Sequence, residues 1–269
     1  PFLNVHKDHG LTLTSIPHVQ DGNRWTFDWD ELNTALGDGA HQSRIFLLTH
    51  PQNPLGRVFT KEEILRLAET CARHDLILVS DEVHSDLVLE EDKTPFFSAL
   101  HLPEELQDRL VVLNSPSKTY NIAGLAYAYA VIPNDSLRRK FTQAKGHMLP
   151  ELNPLSYHAA EAAYRHGEDW RQELLTYLRR NRDLLTSFVD EKLPGVIVPN
   201  IEATYLAWMD FRATGVANPA EAAEKQAGLF ISDGAFFGAP GHARLNFGCP
   251  RSSLEDALNR LAGILPACE

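Results

Sequence analysis

Four short apolar runs, separated by longer stretches of helical period, constrain this chain more than any other feature. Ile45-Phe46-Leu47-Leu48, Leu76-Ile77-Leu78-Val79, Leu110-Val111-Val112-Leu113 and Ala128-Tyr129-Ala130-Val131-Ile132 each stop at polar, Gly or Pro residues, as buried strands do. Their alternation with helical segments predicts an α/β protein with a mainly parallel sheet and helices on both faces.

The segments between the runs support this. Thr60-Lys61-Glu62-Glu63 has the form of a capping box and predicts a helix to about His74, with Ile64, Leu67, Ala68 and Cys71 on one apolar face. Ser252-Ser253-Leu254-Glu255 repeats the device and predicts the start of the final helix, with Leu254, Leu258, Leu261 and Leu265 inward. From about Asn153 the pattern changes to a long helical region through Leu193, then strands around Thr204–Asp210 and Arg244–Phe247. We therefore expect a large domain over residues 1–164 and a smaller C-terminal α+β domain over 165–269, with Pro150, Asn153 and Pro154 puncturing the join.

Composition excludes several function classes. The 269 residues carry 25 Lys and Arg against 36 Asp and Glu, a net charge of −11, which favours solubility and disfavours nucleic-acid or anionic-membrane partners. No run approaches the ~20 apolar residues of a membrane span, and the opening PFLNVHKDHG lacks a signal layout, so a cytoplasmic location is expected. Cys71, Cys249 and Cys268 fit no Cys-x-x-Cys pattern and read as reduced thiols.

Chemistry gathers after the strands. His50-Pro51-Gln52-Asn53-Pro54-Leu55-Gly56, Ser80-Asp81-Glu82-Val83-His84 and Asn114-Ser115-Pro116-Ser117-Lys118-Thr119 would meet at one edge of a parallel sheet, where such folds bind ligands. Taken singly, each residue also has a plainer reading: Lys118 as a solvated lysine, Asp81 and Asn53 as turn residues, Ser115 and Ser117 as turn serines beside Pro116, Arg244 as a surface ion-pair partner. The spacing of Glu82, His84 and His50 matches no zinc pattern, and no metal is expected.

Together, Asn53-Pro54-Leu55-Gly56, Asp81-Glu82-Val83-His84, Ser115-Pro116-Ser117-Lys118-Thr119 and Arg244-Leu245-Asn246-Phe247-Gly248 make the chain resemble the fold-type I pyridoxal-phosphate (PLP) enzymes, which include aminotransferases and many carbon–sulfur lyases. The resemblance implies the following roles. Lys118 is the Schiff-base lysine and base, at a partly buried site near other cations that ease its deprotonation. Asp81 pairs with the cofactor's pyridine nitrogen, and Asn53 hydrogen-bonds its phenolic oxygen. Ser115 and Ser117 hold the phosphate, and Arg244 forks onto the substrate carboxylate. Tyr205 is either a lining residue or a core aromatic. Two residues depart from many aminotransferases: His84 stands where a tyrosine contacts the phenolic oxygen, and Ala126 where an arginine binds phosphate.

Those departures, with Ser115 to Gly124 and Arg244 to Arg251, look like the MalY/PatB-type cystathionine β-lyase branch. This implies β-elimination from cystathionine or a cysteine S-conjugate, giving pyruvate, ammonia and a thiol, by a homodimer acting on a small amino acid. Transamination uses the same groups and stays open. The resemblance starts partway into the family's usual length, implying that a substantial N-terminal segment is absent, so an inactive scaffold is the third alternative.

Overall fold

The computed structural model describes residues 2–37, 44–146 and 151–265. Pro150 and Cys268 lie outside them. In chain order the elements are α1 (Phe2–Asp8), β1 (His18–Asp21), β2 (Arg24–Phe27), α2 (Trp29–Gly37), β3 (Ile45–Thr49), α3 (Lys61–Arg73), β4 (Ile77–Asp81), α4 (Glu104–Gln107), β5 (Leu110–Asn114), β6 (Tyr129–Val131), α5 (Asp135–Lys145), α6 (Pro154–His166), α7 (Glu168–Lys192), β7 (Leu206–Asp210), α8 (Pro219–Ala227), β8 (Ser232–Asp233), β9 (His242–Asn246) and α9 (Arg251–Ala262).

The four predicted apolar runs are β3 to β6, one sheet in that order. β3, β4 and β5 are parallel and β6 is antiparallel to β5. One face buries Leu48, Leu78, Leu110 and Val112 against Ile64, Leu67, Ala68 and Cys71 of α3, the apolar stripe that its period predicts. Each fully buried leucine there contributes roughly 1.5–3 kcal/mol. On the other face Ile45 and Leu47 of β3 stay 49% and 37% exposed. The Thr60–Glu63 capping box forms: the Thr60 hydroxyl accepts from the Glu63 amide, and the Glu63 carboxylate accepts from the Thr60 amide.

α9 does not begin as expected. Pro250 occupies the cap position with no side-chain cap, and the amides of Ser253 and Leu254 both donate to its carbonyl, so Ser252 lies inside the first turn. The fixed φ of proline supplies the entry that the serine hydroxyl was expected to supply. Leu254, Leu258 and Leu261 are buried as predicted.

The long helical region is two helices broken at Gly167. A side chain there would sit 2.4 Å from the Ala163 carbonyl and 2.5 Å from the Tyr120 ring, so the elbow closes only around glycine. α7 lays Leu175, Leu178, Leu185 and Val189 into a second core shared with α9 and with the antiparallel sheet β7–β9–β8. That sheet alternates cleanly. Ala207, Met209, Ala243 and Leu245 enter the core, and the intervening Trp208, His242 and Arg244 take the opposite face.

Candidate active site

Register brings the three polar clusters together. Thr49 lies opposite Asp81 and Asp81 opposite Leu113, so β3, β4 and β5 end side by side. The ladder continues one step further, with the His50 amide donating to the Asp81 carbonyl and the Glu82 amide to the Leu113 carbonyl, both at 2.8 Å.

The turn after β3 is closed by the Gly56 amide on the Gln52 carbonyl at 2.8 Å and the Leu55 amide on Gln52 Oε1 at 3.2 Å. Gly56 has φ of 68°, and a Cβ there would lie 3.1 Å from the Ile201 side chain. Its carbonyl accepts from both the Glu202 and Ala203 amides at 2.9 Å, which fastens the turn to the segment entering β7. A buried ion network reinforces that seam. The Glu202 carboxylate accepts from Arg24 Nε at 2.5 Å, from Arg57 Nη1 at 3.2 Å and from the Val58 amide at 2.7 Å. Arg57 Nη2 also reaches both Glu63 oxygens at 2.9 and 2.7 Å.

On this seam two predicted residues meet directly. Arg244 of β9 donates from Nη1 to Asn53 Oδ1 at 2.9 Å and from Nη2 to Ser232 Oγ at 3.1 Å, and its Cζ stands 4.8 Å from the centre of the Phe237 ring. Because Arg244 takes the amide oxygen, the Asn53 Nδ2 donors are left with no partner among the described residues. Burial pushes the Arg244 guanidinium below its ordinary value.

Asp81 is half-buried, and desolvation raises its carboxyl, against the Val83 amide on Oδ1 at 3.2 Å and the charge of Lys118. His84 is buried, pushed down to about 4 by desolvation and then by the charges of Lys118 and Arg244, so its ring is neutral near pH 7. Its Nδ1 has no partner among the described residues, and its ring centre lies 6.1 Å from that of Tyr205 with the two planes at 75°. Burial likewise raises the Tyr205 phenol.

Lys118 is exposed rather than partly buried: it rides on the turn beyond the end of β5, and none of the described residues covers it or hydrogen-bonds its amine. Thr119 beside it is buried, with no partner for Oγ1 among the described residues. The Ser115 hydroxyl donates to the Tyr127 carbonyl at 2.5 Å and accepts from the Ser117 amide at 3.1 Å, and the Ser117 hydroxyl reaches the same carbonyl at 3.4 Å. Ala126 ends this loop in a left-handed conformation, φ 52°.

Two side chains in the clusters do structural work instead. The Glu82 carboxylate accepts from the Ser80 and Ser98 hydroxyls and from the Ala99 amide. His50 is fully buried, with its Nε2 3.2 Å from the Phe97 carbonyl and its Nδ1 3.4 Å from the Phe59 amide. Burial lowers His50 to about 3, against 6.5 for a free histidine. The unfolded chain thus takes up a proton that the folded chain refuses, and stability is expected to fall as pH drops from 6.5 towards 3. Urea melts of the wild type and of His50→Gln between those pH values check this, and parallel pH slopes for the two would remove His50 as the cause.

Ser232, Phe237, Glu202 and Arg57 escaped the sequence reading. Only the run Gly56-Arg57, directly after the Asn53 turn, offered a signal for any of them.

Comparison with known proteins follows the same lines. Residues 2–261 match the family model described as aminotransferase class I and II. The chain is 35% identical to cystathionine beta-lyase PatB of Bacillus subtilis over 98% of its own length and 69% of the relative's. It superposes on the crystal structure of OvoB with a TM-score of 0.92 at 38% identity, covering 100% of this chain and 69% of that one. For cystalysin from Treponema denticola, a crystal structure containing pyridoxal 5'-phosphate, the TM-score is 0.90 at 28% identity, over 98% and 67%.

Proposed function

The chain belongs to the class I and II aminotransferase family, and we propose that its crevice is that of a PLP-dependent carbon–sulfur β-lyase, cleaving cystathionine or a cysteine S-conjugate to pyruvate, ammonia and a thiol. The likeness to PatB over nearly the whole chain carries the choice of β-lyase.

The residues present fit the cofactor. A buried His84 Nδ1 without a partner, the Asn53 Nδ2 donors left over by Arg244, and a desolvated Asp81 carboxylate are groups in want of a polar ligand. PLP supplies an acceptor for the electron pair left when an amino acid's Cα loses its proton. Asp81 would hold the ring nitrogen, Asn53 Nδ2 the phenolic oxygen, with His84 beside it. Ser115 and Ser117 would take the phosphate by turning their hydroxyls away from the Tyr127 carbonyl. The Arg244 fork binds the α-carboxylate and so aims the Cα–H bond. The Lys118 amine accepts the Cα proton at Nζ, and loss of the sulfur substituent from Cβ follows.

We further propose a homodimer as the active form, supported by the exposed aromatics Tyr157, Trp170, Tyr164 and Tyr129, 37–54% exposed. The domain boundary we propose lies at about residue 164, near the α6–α7 elbow, and the location is cytoplasmic. No helix of the described residues is long and apolar enough to cross a membrane.

The test is incubation with PLP and cystathionine. We expect pyruvate to accumulate with no keto acid added. Turnover that requires an added 2-keto acid would replace this reading with an aminotransferase, and a colourless, inert protein would leave only a scaffold.

A further inference from the structure

Arg244 is the residue on which substrate orientation turns, and a free arginine is poorly suited to the task. Its side chain loses rotamer entropy when fixed, a cost that reduces binding unless the protein has already met it. Here the fixing has been done. On β9, Arg244 stands directly opposite Ser232 of β8 on one side and Trp208 of β7 on the other, so the three side chains share a sheet face. The Phe237 ring, from the turn after β8, lies against the guanidinium with 4.8 Å between Cζ and ring centre. Phe237 is in turn held edge-on by Trp208 at 5.5 Å, and Trp208 stacks on His242 at 5.2 Å and 13°.

We propose that Ser232 and Phe237 are positioning residues that fix the plane of the Arg244 guanidinium before substrate arrives, an inference that rests on Arg244 being the carboxylate-binding arginine. A guanidinium has five N–H donors. Asn53 takes one from Nη1 and Ser232 one from Nη2, so rotation of the group is stopped at both ends of the fork. The guanidinium carbon sits over the face of the Phe237 ring, favoured by the attraction between a cation and an aromatic ring. Nε–H and one N–H on each Nη remain for a carboxylate, and with the group pinned by two anchors and the ring their plane is fixed. A lysine at this position could touch the ring and the anchors only as a point charge with three rotating donors, and has no planar fork for them to orient.

The primary test needs neither cofactor nor substrate. In the chain labelled with ¹⁵N-arginine, the Arg244 Nη protons, identified by their loss in Arg244→Lys, are expected as separate, slowly exchanging resonances. In Phe237→Leu and in Ser232→Ala they are expected to merge into one averaged signal, whereas Phe237→Tyr, which keeps the ring, leaves them separate. An averaged signal in the wild type, or separate signals surviving both substitutions, overturns the inference.

Kinetics on the PLP-loaded enzyme distinguish this from the reading beneath it, with S-methylcysteine and its carboxamide as probes. Phe237→Leu is expected to raise KM for the carboxylate about tenfold, the factor for one lost contact of 1.4 kcal/mol, with kcat little changed. Arg244→Lys should erase the preference for carboxylate over carboxamide. A preference that survives Arg244→Lys removes the carboxylate role of Arg244 itself, whereas one that falls in Arg244→Lys but is untouched by Phe237→Leu removes only the positioning role.

Discussion

Replacing Lys118 by alanine is expected to abolish the covalent, borohydride-fixable attachment of PLP and to lower pyruvate release from cystathionine by at least ~10²–10⁴-fold, the worth of a positioned general base. No other lysine of the described chain follows a strand of the first sheet at its carboxyl edge, where Asp81 and His84 both feel the Lys118 charge. Arginine in its place keeps the cation but offers no primary amine to form the Schiff base, so Lys118→Arg should bind PLP reversibly and remain inactive. Peptide mapping of the reduced adduct decides the matter. An adduct on another lysine, or a Lys118→Ala variant with near wild-type turnover, would sink the assignment.

The second large effect concerns stability. Glu202→Ala should destabilise the fold by about 3–5 kcal/mol, the usual cost of removing one partner of a buried ion pair. Glu202 is 1% exposed and Arg57 3%, so the arginine left behind has little access to water and keeps Glu63 as its one carboxylate partner, with the Trp25 carbonyl on Nε. The Val58 amide loses its acceptor as well. Replacing both Arg57 and Glu202 by methionine and leucine should cost less than the single change, because the most deeply buried charge leaves with its partner and the two groups that lose a contact, Arg24 and Glu63, are more exposed. Urea unfolding at pH 7 measures all three proteins; a Glu202→Ala loss below about 1 kcal/mol would mean that water reaches the seam.

What was legible in the sequence was whatever depends on near neighbours along the chain. The apolar runs announced β3 to β6, and a local exchange between Thr60 and Glu63 announced the start of α3. The order of Asn53, Asp81, Lys118 and Arg244 led to the proposed site through family resemblance, and of these the fold joins Asn53 to Arg244 directly. The same local logic misled at α9, where Ser252 to Glu255 has the spacing of a capping box but Pro250 starts the helix first. The hairpin β1–β2 went unread although Gly22-Asn23, its two-residue loop, is a recognised turn signal, because its strands alternate too weakly to stand out.

Long-range pairings were out of reach. Nothing near Arg57 points to Glu202, and nothing near Ser232 points to Arg244, since each meeting is made by the fold. Exposure at Lys118 was equally unreadable, because burial of a turn residue depends on what lies over it.

The four-stranded sheet has a further consequence at its margins. β3 and β6 are its outermost strands, and each has one side with no strand hydrogen-bonded to it among the described residues. Neither Ile45–Thr49 nor Tyr129–Val131 carries a lysine, a proline or any charge to repel a neighbour. Ile45, Leu47, Tyr129 and Val131 add apolar surface along the same two margins. Such borders are templates for strand addition, so this sheet is built to be extended sideways, and a concentrated solution of the chain on its own would tend toward edge-to-edge polymers.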